Sequence, residues 1–143
     1  MPQTVAAAAP AIASVVTSAI SASGGVPQEV ANEYPFVVVS LFDGQLTSPG
    51  NDWTEALLNI SIDVLVPRAW DIGISMPLLL GYVDSLNSAL WGQVANDPGL
   101  HFDNTIDTFT NIAVAYLPFN PWSNVDMIGY RFVLEGVKLE GTL

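Results

Sequence analysis

The stretch Trp53-Thr54-Glu55-Ala56-Leu57-Leu58-Asn59-Ile60-Ser61-Ile62-Asp63-Val64-Leu65-Val66-Pro67 decides how the rest of the chain is read. Leu58, Ile60, Ile62, Val64 and Val66 fall on one side of an extended backbone, and Asn59, Ser61 and Asp63 on the other, because side chains alternate faces along a strand. The pattern predicts a half-buried β-strand. From Trp53 to Val66 it runs fourteen residues, about 45 Å at roughly 3.3 Å per residue, against a usual strand of about 5 or 6 residues. Pro67 ends it, since proline cannot donate to a ladder. The excess length predicts that its far end pairs or packs against another subunit.

Working outward, Tyr34-Pro35-Phe36-Val37-Val38-Val39-Ser40-Leu41-Phe42 is a near-continuous, β-branched apolar run, which predicts a strand covered on both faces. Asp43-Gly44 and Ser48-Pro49-Gly50-Asn51-Asp52 bracket a ten-residue connection to the long strand. Upstream, over residues 4–22, Val5, Ala8, Ile12, Val15, Val16, Ala19 and Ile20 recur three and four apart, so a helix with a narrow apolar stripe is expected. Pro10 sits in its first turn or kinks it, and Gly24-Gly25 stops it. Downstream, Met76, Leu79, Val83, Leu86 and Leu90 define a second helix, with Ser75 as N-cap, Pro77 in the first turn, and Leu80 and Trp91 flanking the stripe.

After Asp97-Pro98-Gly99, alternation of Ile106, Thr108, Thr110, Ile112, Val114 and Tyr116 predicts a strand over residues 105–116. The last strand spans residues 127–139. There Ile128, Tyr130, Phe132 and Leu134 share a parity that Val137 and Leu139 break. Gly136 lies at the switch, so a bulge is expected there. The expected fold is one α+β domain over residues 1–143, a mainly antiparallel four-stranded sheet with two packing helices in the order α-β-β-α-β-β. The N-terminal helix takes residues 1–25 and the sheet with its second helix residues 26–143.

A chain of 143 residues suits one core, and a domain of that size buries roughly 68 to 70% of its unfolded surface. Only 12% of the residues are charged, against about 25% in an ordinary soluble domain. Such a surface must be covered by partners or meet a membrane. Fourteen Asp and Glu stand against Arg68, Arg131 and Lys138, a net charge of −11. Binding to nucleic-acid phosphates is disfavoured by that balance, whereas an acidic wall that DNA slides past is allowed. No cysteine is present, so disulfides and thiolate chemistry are excluded. The first 28 residues are uncharged, but they lack the basic n-region and strongly apolar h-region of a signal peptide. Pro10, Ser14, Thr17 and Ser18 interrupt any membrane span.

Chemistry-bearing motifs are sparse. His101, the only histidine, lies near Asp97, Asp103 and Asp107, yet a transition-metal site usually needs more than one imidazole or thiolate. Neither a G-x-S-x-G turn nor a phosphate-binding glycine loop occurs. Asp63 and Glu135 are the candidates for a carboxylate acid–base pair; the simpler expectation is that they meet Arg131 or Arg68 in cross-strand pairs. No catalytic residue, metal or cofactor is therefore assigned. Trp91 follows the helix stripe into the core. Trp53, Trp70 and Trp122 lie at element ends beside Pro, Gly or Asn, where a large aromatic is either core or an anchor at a subunit boundary. With Leu58 and Ile60 of the long strand they form the candidate subunit interface. Asp43, Gln45, Asn51, Asp52, Asp97, His101 and Asp103, in the two longest polar connections, are the candidate contact loops.

In outline the chain resembles the tail terminator, or tail completion, proteins of long-tailed bacteriophages. The residues that carry the resemblance are Tyr34-Pro35-Phe36-Val37-Val38-Val39, the Gly/Pro/Asn loop after them and Trp53 opening a long strand. Ile62-Asp63-Val64-Leu65-Val66-Pro67-Arg68 closes that strand, Asp71 leads into the helix, and Gly129-Tyr130-Arg131-Phe132-Val133-Leu134-Glu135 lies in the last strand. The similarity covers about residues 30 to 140 and is one of pattern, without a diagnostic motif. It implies a non-enzymatic ring, usually of six copies, made in the host cytoplasm and built into the neck of the virion. The implied partners are the chain itself, the tail tube protein and a head–tail connector or stopper protein. DNA would pass through the lumen without specific binding, and no membrane is involved. Six copies at −11 each carry −66, and acids facing the lumen would repel phosphates over roughly 8 to 10 Å. The alternatives are another connector component (a joining or stopper protein), a tail tube subunit and, more remotely, a small α+β pocket enzyme using Asp63.

Overall fold

Alternation in the 53–67 stretch is realised as the central strand of a sheet. The computed structural model describes residues 4–20, 23–25, 36–47, 53–67, 72–95 and 101–142. Two long helices, α1 (Val5–Ile20) and α2 (Ile72–Gly92), accompany strands β1 (Ser23–Gly25), β2 (Phe36–Thr47), β3 (Trp53–Pro67), β4 (Asn111–Leu117) and β5 (Met127–Thr142). The sheet order is β1-β2-β3-β5-β4. The pairs β2/β3, β3/β5 and β5/β4 are antiparallel, and β1 lies parallel to the start of β2. The four-stranded antiparallel α+β architecture is as expected. Ser23–Gly25 is an addition: the Gly24-Gly25 pair read as a helix stop extends instead along residues 36–38 of β2.

α1 begins at a Thr4 cap, whose Oγ1 accepts from the backbone N–H of Ala7 at 3.2 Å. It buries Ala8, Ile12, Val16 and Ile20, one residue per turn. Pro10 is inside the helix but exposed. α2 starts three residues before the expected Ser75 cap, so Pro77 lies within the helix rather than in its first turn. Leu79, Leu86 and Leu90 are buried from it. Both helices cover one face of the sheet, where their residues share a core with Val37, Val39, Ile60, Ile62, Val64, Phe132 and Leu134. On the opposite face Phe36, Val38, Leu65, Leu117 and Met127 form a second cluster, against which Trp122 and Val125 pack.

Two register shifts meet at one residue. In β2/β3 the pairing steps from Leu41↔Ile60 to Asp43↔Asn59, which leaves Phe42 extra. In β3/β5 it steps from Ile60↔Leu134 to Leu58↔Val137, which places the expected bulge at Glu135 and Gly136. Gly136 has φ +67°, and an added Cβ would lie 2.6 Å from Thr110 Oγ1. Asn59 ties the two shifts together: its Nδ2 donates to Asp43 Oδ1, and its Oδ1 accepts from the Gly136 N–H at 3.3 Å.

The expected strand over residues 105–116 is half strand. Regular pairing begins at Asn111, and before it only Thr108 bridges to Lys138. Ile106 and Phe109 are both buried despite their opposite parity, because this segment curls over the end of the core rather than running flat along it. Ahead of it, His101, Phe102, Asp103 and Asn104 all have positive φ, between 50° and 60°. Gln93 holds this left-handed turn: its backbone carbonyl accepts from His101 N at 2.6 Å and its Oε1 from Phe102 N at 3.2 Å.

Candidate functional site

Asp63 is fully buried on the face of the sheet away from the helices. Directly opposite it on β5 is Arg131. The guanidinium donates from Nε to Oδ1 at 2.8 Å and from Nη2 to Oδ2 at 2.9 Å. A third donor, Trp122 Nε1, reaches Oδ2 at 2.7 Å. The hydrogen bond to Asp63 and the carboxylate's charge hold the Arg131 pKa above its ordinary value, against the opposing effect of burial. The cationic half of the pair therefore stays charged through neutral and acid pH. The expected Asp63–Arg131 cross-strand pair is present, and its role is that of a clamp. Asn120 continues it, accepting from Trp122 N at 2.9 Å and donating to the Val125 carbonyl at 3.2 Å, so the connection between β4 and β5 is pinned to the sheet.

Glu135, the other carboxylate singled out, sits four residues along β5 from Arg131, at the bulge, where its Oε1 accepts from Asn111 Nδ2 at 2.7 Å. The structure does not bring it to Asp63. His101 lies in the left-handed turn with its Nδ1 buried and without a hydrogen-bond partner. Among the described residues no three His, Cys, Asp or Glu side chains converge as metal ligands.

The candidate interface residues separate sharply. Leu58 and Ile60 are corrected from interface to core: they face the helices and are only 3% and 1% exposed. The period-two pattern put them on the apolar face, and that face is filled by the chain's own helices. Trp122 is committed to its own sheet through Asp63. Trp53 opens β3, and its side chain, like Trp70, Asn51, Asp52 and Asp97 in full, lies outside the described residues. Asp43 and Gln45 are exposed but belong to β2 rather than to a loop. Asp103 is exposed on the left-handed turn.

Sequence reasoning missed the two edges of the sheet. All seven residues 41–47 of β2 are exposed, including Leu41, Phe42 and Leu46. On the other edge, residues 113–116 of β4 are exposed, with Val114 and Tyr116 prominent, and Phe119 follows. Neither of these edge segments has a further strand beside it among the described residues. Residues 108–125 contain no charged side chain, and β2 contains one, Asp43. Elsewhere Asp84, Asp103, Asp107 and Asp126 are exposed, while Arg131 is held by Asp63 and Lys138 lies 3.9 Å from Glu55 and 4.0 Å from Asp107. A signal for the second edge is present in the spacing of charges, which skips residues 108–125 altogether, and on the first it leaves only Asp43. No described helix is long and apolar enough to cross a membrane. The sequence matches no protein-family profile and no curated protein.

Proposed function

We propose that this chain is a structural protein of a bacteriophage virion. It forms a ring on the finished tail tube, ends the tube's polymerisation and offers the attachment surface for the head around the DNA channel. The observation that carries the reading is the pair of exposed sheet edges, rich in apolar residues and holding between them the single charge of Asp43, on a chain of net charge −11. Like-charged copies repel over most of their surface and meet without that penalty only where charge is absent. Two different edges on one protomer favour head-to-tail contacts, which give a ring when the rotation from copy to copy closes and a filament when it does not. The charges exposed elsewhere, at Asp84, Asp103, Asp107 and Asp126, are acidic, and with both described cations engaged internally such a surface is suited to face DNA without holding it.

The test is a polymerisation assay. Tail tube subunits are assembled with and without the protein, and tube lengths and ends are measured by negative-stain microscopy. Short tubes with a ring at one end are expected. Indefinite stacking of the protein itself would reassign it as a tube subunit, and binding to the head-side connector with tube length unchanged would reassign it as a stopper or joining protein.

A further inference from the structure

We propose that copies of this chain join through a continuous sheet, with residues 41–47 of β2 in one copy pairing antiparallel to β4 (Asn111–Leu117) of the next. The proposal deepens the ring reading and rests on it for closure of the ring. Strand direction reverses at each step from β2 through β3 and β5 to β4. A second copy with its helices on the same face therefore presents its β2 antiparallel to β4, and because β4 lies level with residues 36–41 of β2 in its own chain, the second copy is displaced along the strands to bring residues 41–47 alongside. The lengths agree, since the exposed part of β2 and the whole of β4 are each seven residues.

The faces agree as well. On β4, Ile112 and Val114 pair with Leu134 and Phe132 and so lie on the helix side. On β2, Gly44 and Leu46 pair with Leu58 and Ala56, also on the helix side. Leu46 is 79% exposed within its own chain. Beside β4 there is a cleft of about 190 Å³ between the sheet and α2, lined in part by Val83, Trp91, Ile112, Val114 and Phe132. A β2 strand added along β4 carries Leu46 on the side of this cleft, whose apolar part suits a leucine, while Asp84, Asn87 and Asn111 supply its polar part.

Charge selects a second copy over another occupant. Natural edge strands are guarded by lysine, proline or inward-pointing charges, and within residues 41–47 and 111–117 Asp43 is the single charged residue. A basic partner would be drawn to the exposed acids elsewhere. A copy of this chain needs an approach with little of its own negative charge; β4 carries none, and on β2 the one carboxylate, Asp43, accepts a hydrogen bond from Asn59 of its own chain.

Light scattering on the full-length protein, with two lysine variants, tests the pairing. Val114→Lys blocks one edge and Leu46→Lys the other, and both positions are exposed, so circular dichroism should show an unchanged fold. The wild type is expected as a closed multimer, each variant alone as a monomer, and an equimolar mixture as dimers, because each variant keeps one intact edge. A monomeric wild type, a variant that keeps the wild-type mass, or a mixture without dimers would overturn the proposal. Loss of association in Leu46→Lys alone would replace it with β2-to-β2 pairing. The polymerisation assay separates the two readings: edge-dependent multimers that leave tubes uncapped sink the cap alone, whereas tubes capped equally well by Val114→Lys sink the edge pairing alone.

Discussion

The two halves of the sheet, divided at Asn59, are built to different specifications. In the half formed by residues 36–39, 60–66 and 127–134, strands are covered on both faces, by α1 and α2 on one side and the Trp122 cluster on the other. Beyond Asn59, β3 and β5 still bury Ala56, Leu58, Val137 and Leu139 on the helix side, beneath the segment containing Phe102, Ile106 and Phe109. There the opposite face is open, with Leu57 exposed, and β2 is exposed throughout. The first half is closed on both faces. The second is a sheet with one face and one edge left uncovered, and the difference teaches that burial along the same three strands is concentrated on one side of Asn59.

The sharpest way to break the covered half is Gly129→Ala. An added Cβ would lie 1.8 Å from the Val64 carbonyl oxygen, a backbone atom that cannot step aside, so the cooperative thermal transition followed by circular dichroism is expected to disappear. Asp63→Ala comes next. It leaves Arg131 and Trp122 Nε1 without their partner on a buried face and should cost about 3 to 5 kcal/mol in urea denaturation, with tryptophan emission shifting to the red. At the junction, Gly136→Ala forces a side chain into positive φ against Thr110 and should cost about 1 to 2 kcal/mol. In the open half, Leu46→Lys should leave the stability of the monomer within about 0.5 kcal/mol. If it instead destabilises as much as Gly136→Ala, the contrast between the halves fails.

Legibility followed the same division. Strict alternation from Leu58 to Val66 and the parity slip at Gly136 were read from sequence because a buried face allows only one register. The Asp63–Arg131 pair was anticipated as one cross-strand option, but the part played by Trp122 was not, since 59 residues separate the indole from its acceptor. Asp43 and Gly44 are turn formers and mark residues 43–47 as part of a connection; in the structure pairing to residues 55–59 of β3 overrides that preference. Ser23–Gly25 has too few residues to show any period. Residues 105–110 alternate in composition, yet tertiary curvature buries Ile106 and Phe109 together, a fact no period-two reading carries. The candidate interface was misplaced for a related reason: sequence marks which face is apolar, not whether the chain's own helices already occupy it.

Asn59 holds a bulge in each neighbouring strand, and bulges sharpen local twist. In the proposed edge-to-edge ring, the twist set at that residue fixes the angle between the two edges of a protomer, and with it how many copies complete the circle and how wide the bore is. On that proposal one mid-strand amide, bonded to Asp43 of the pairing edge, has a say in the calibre of the assembly.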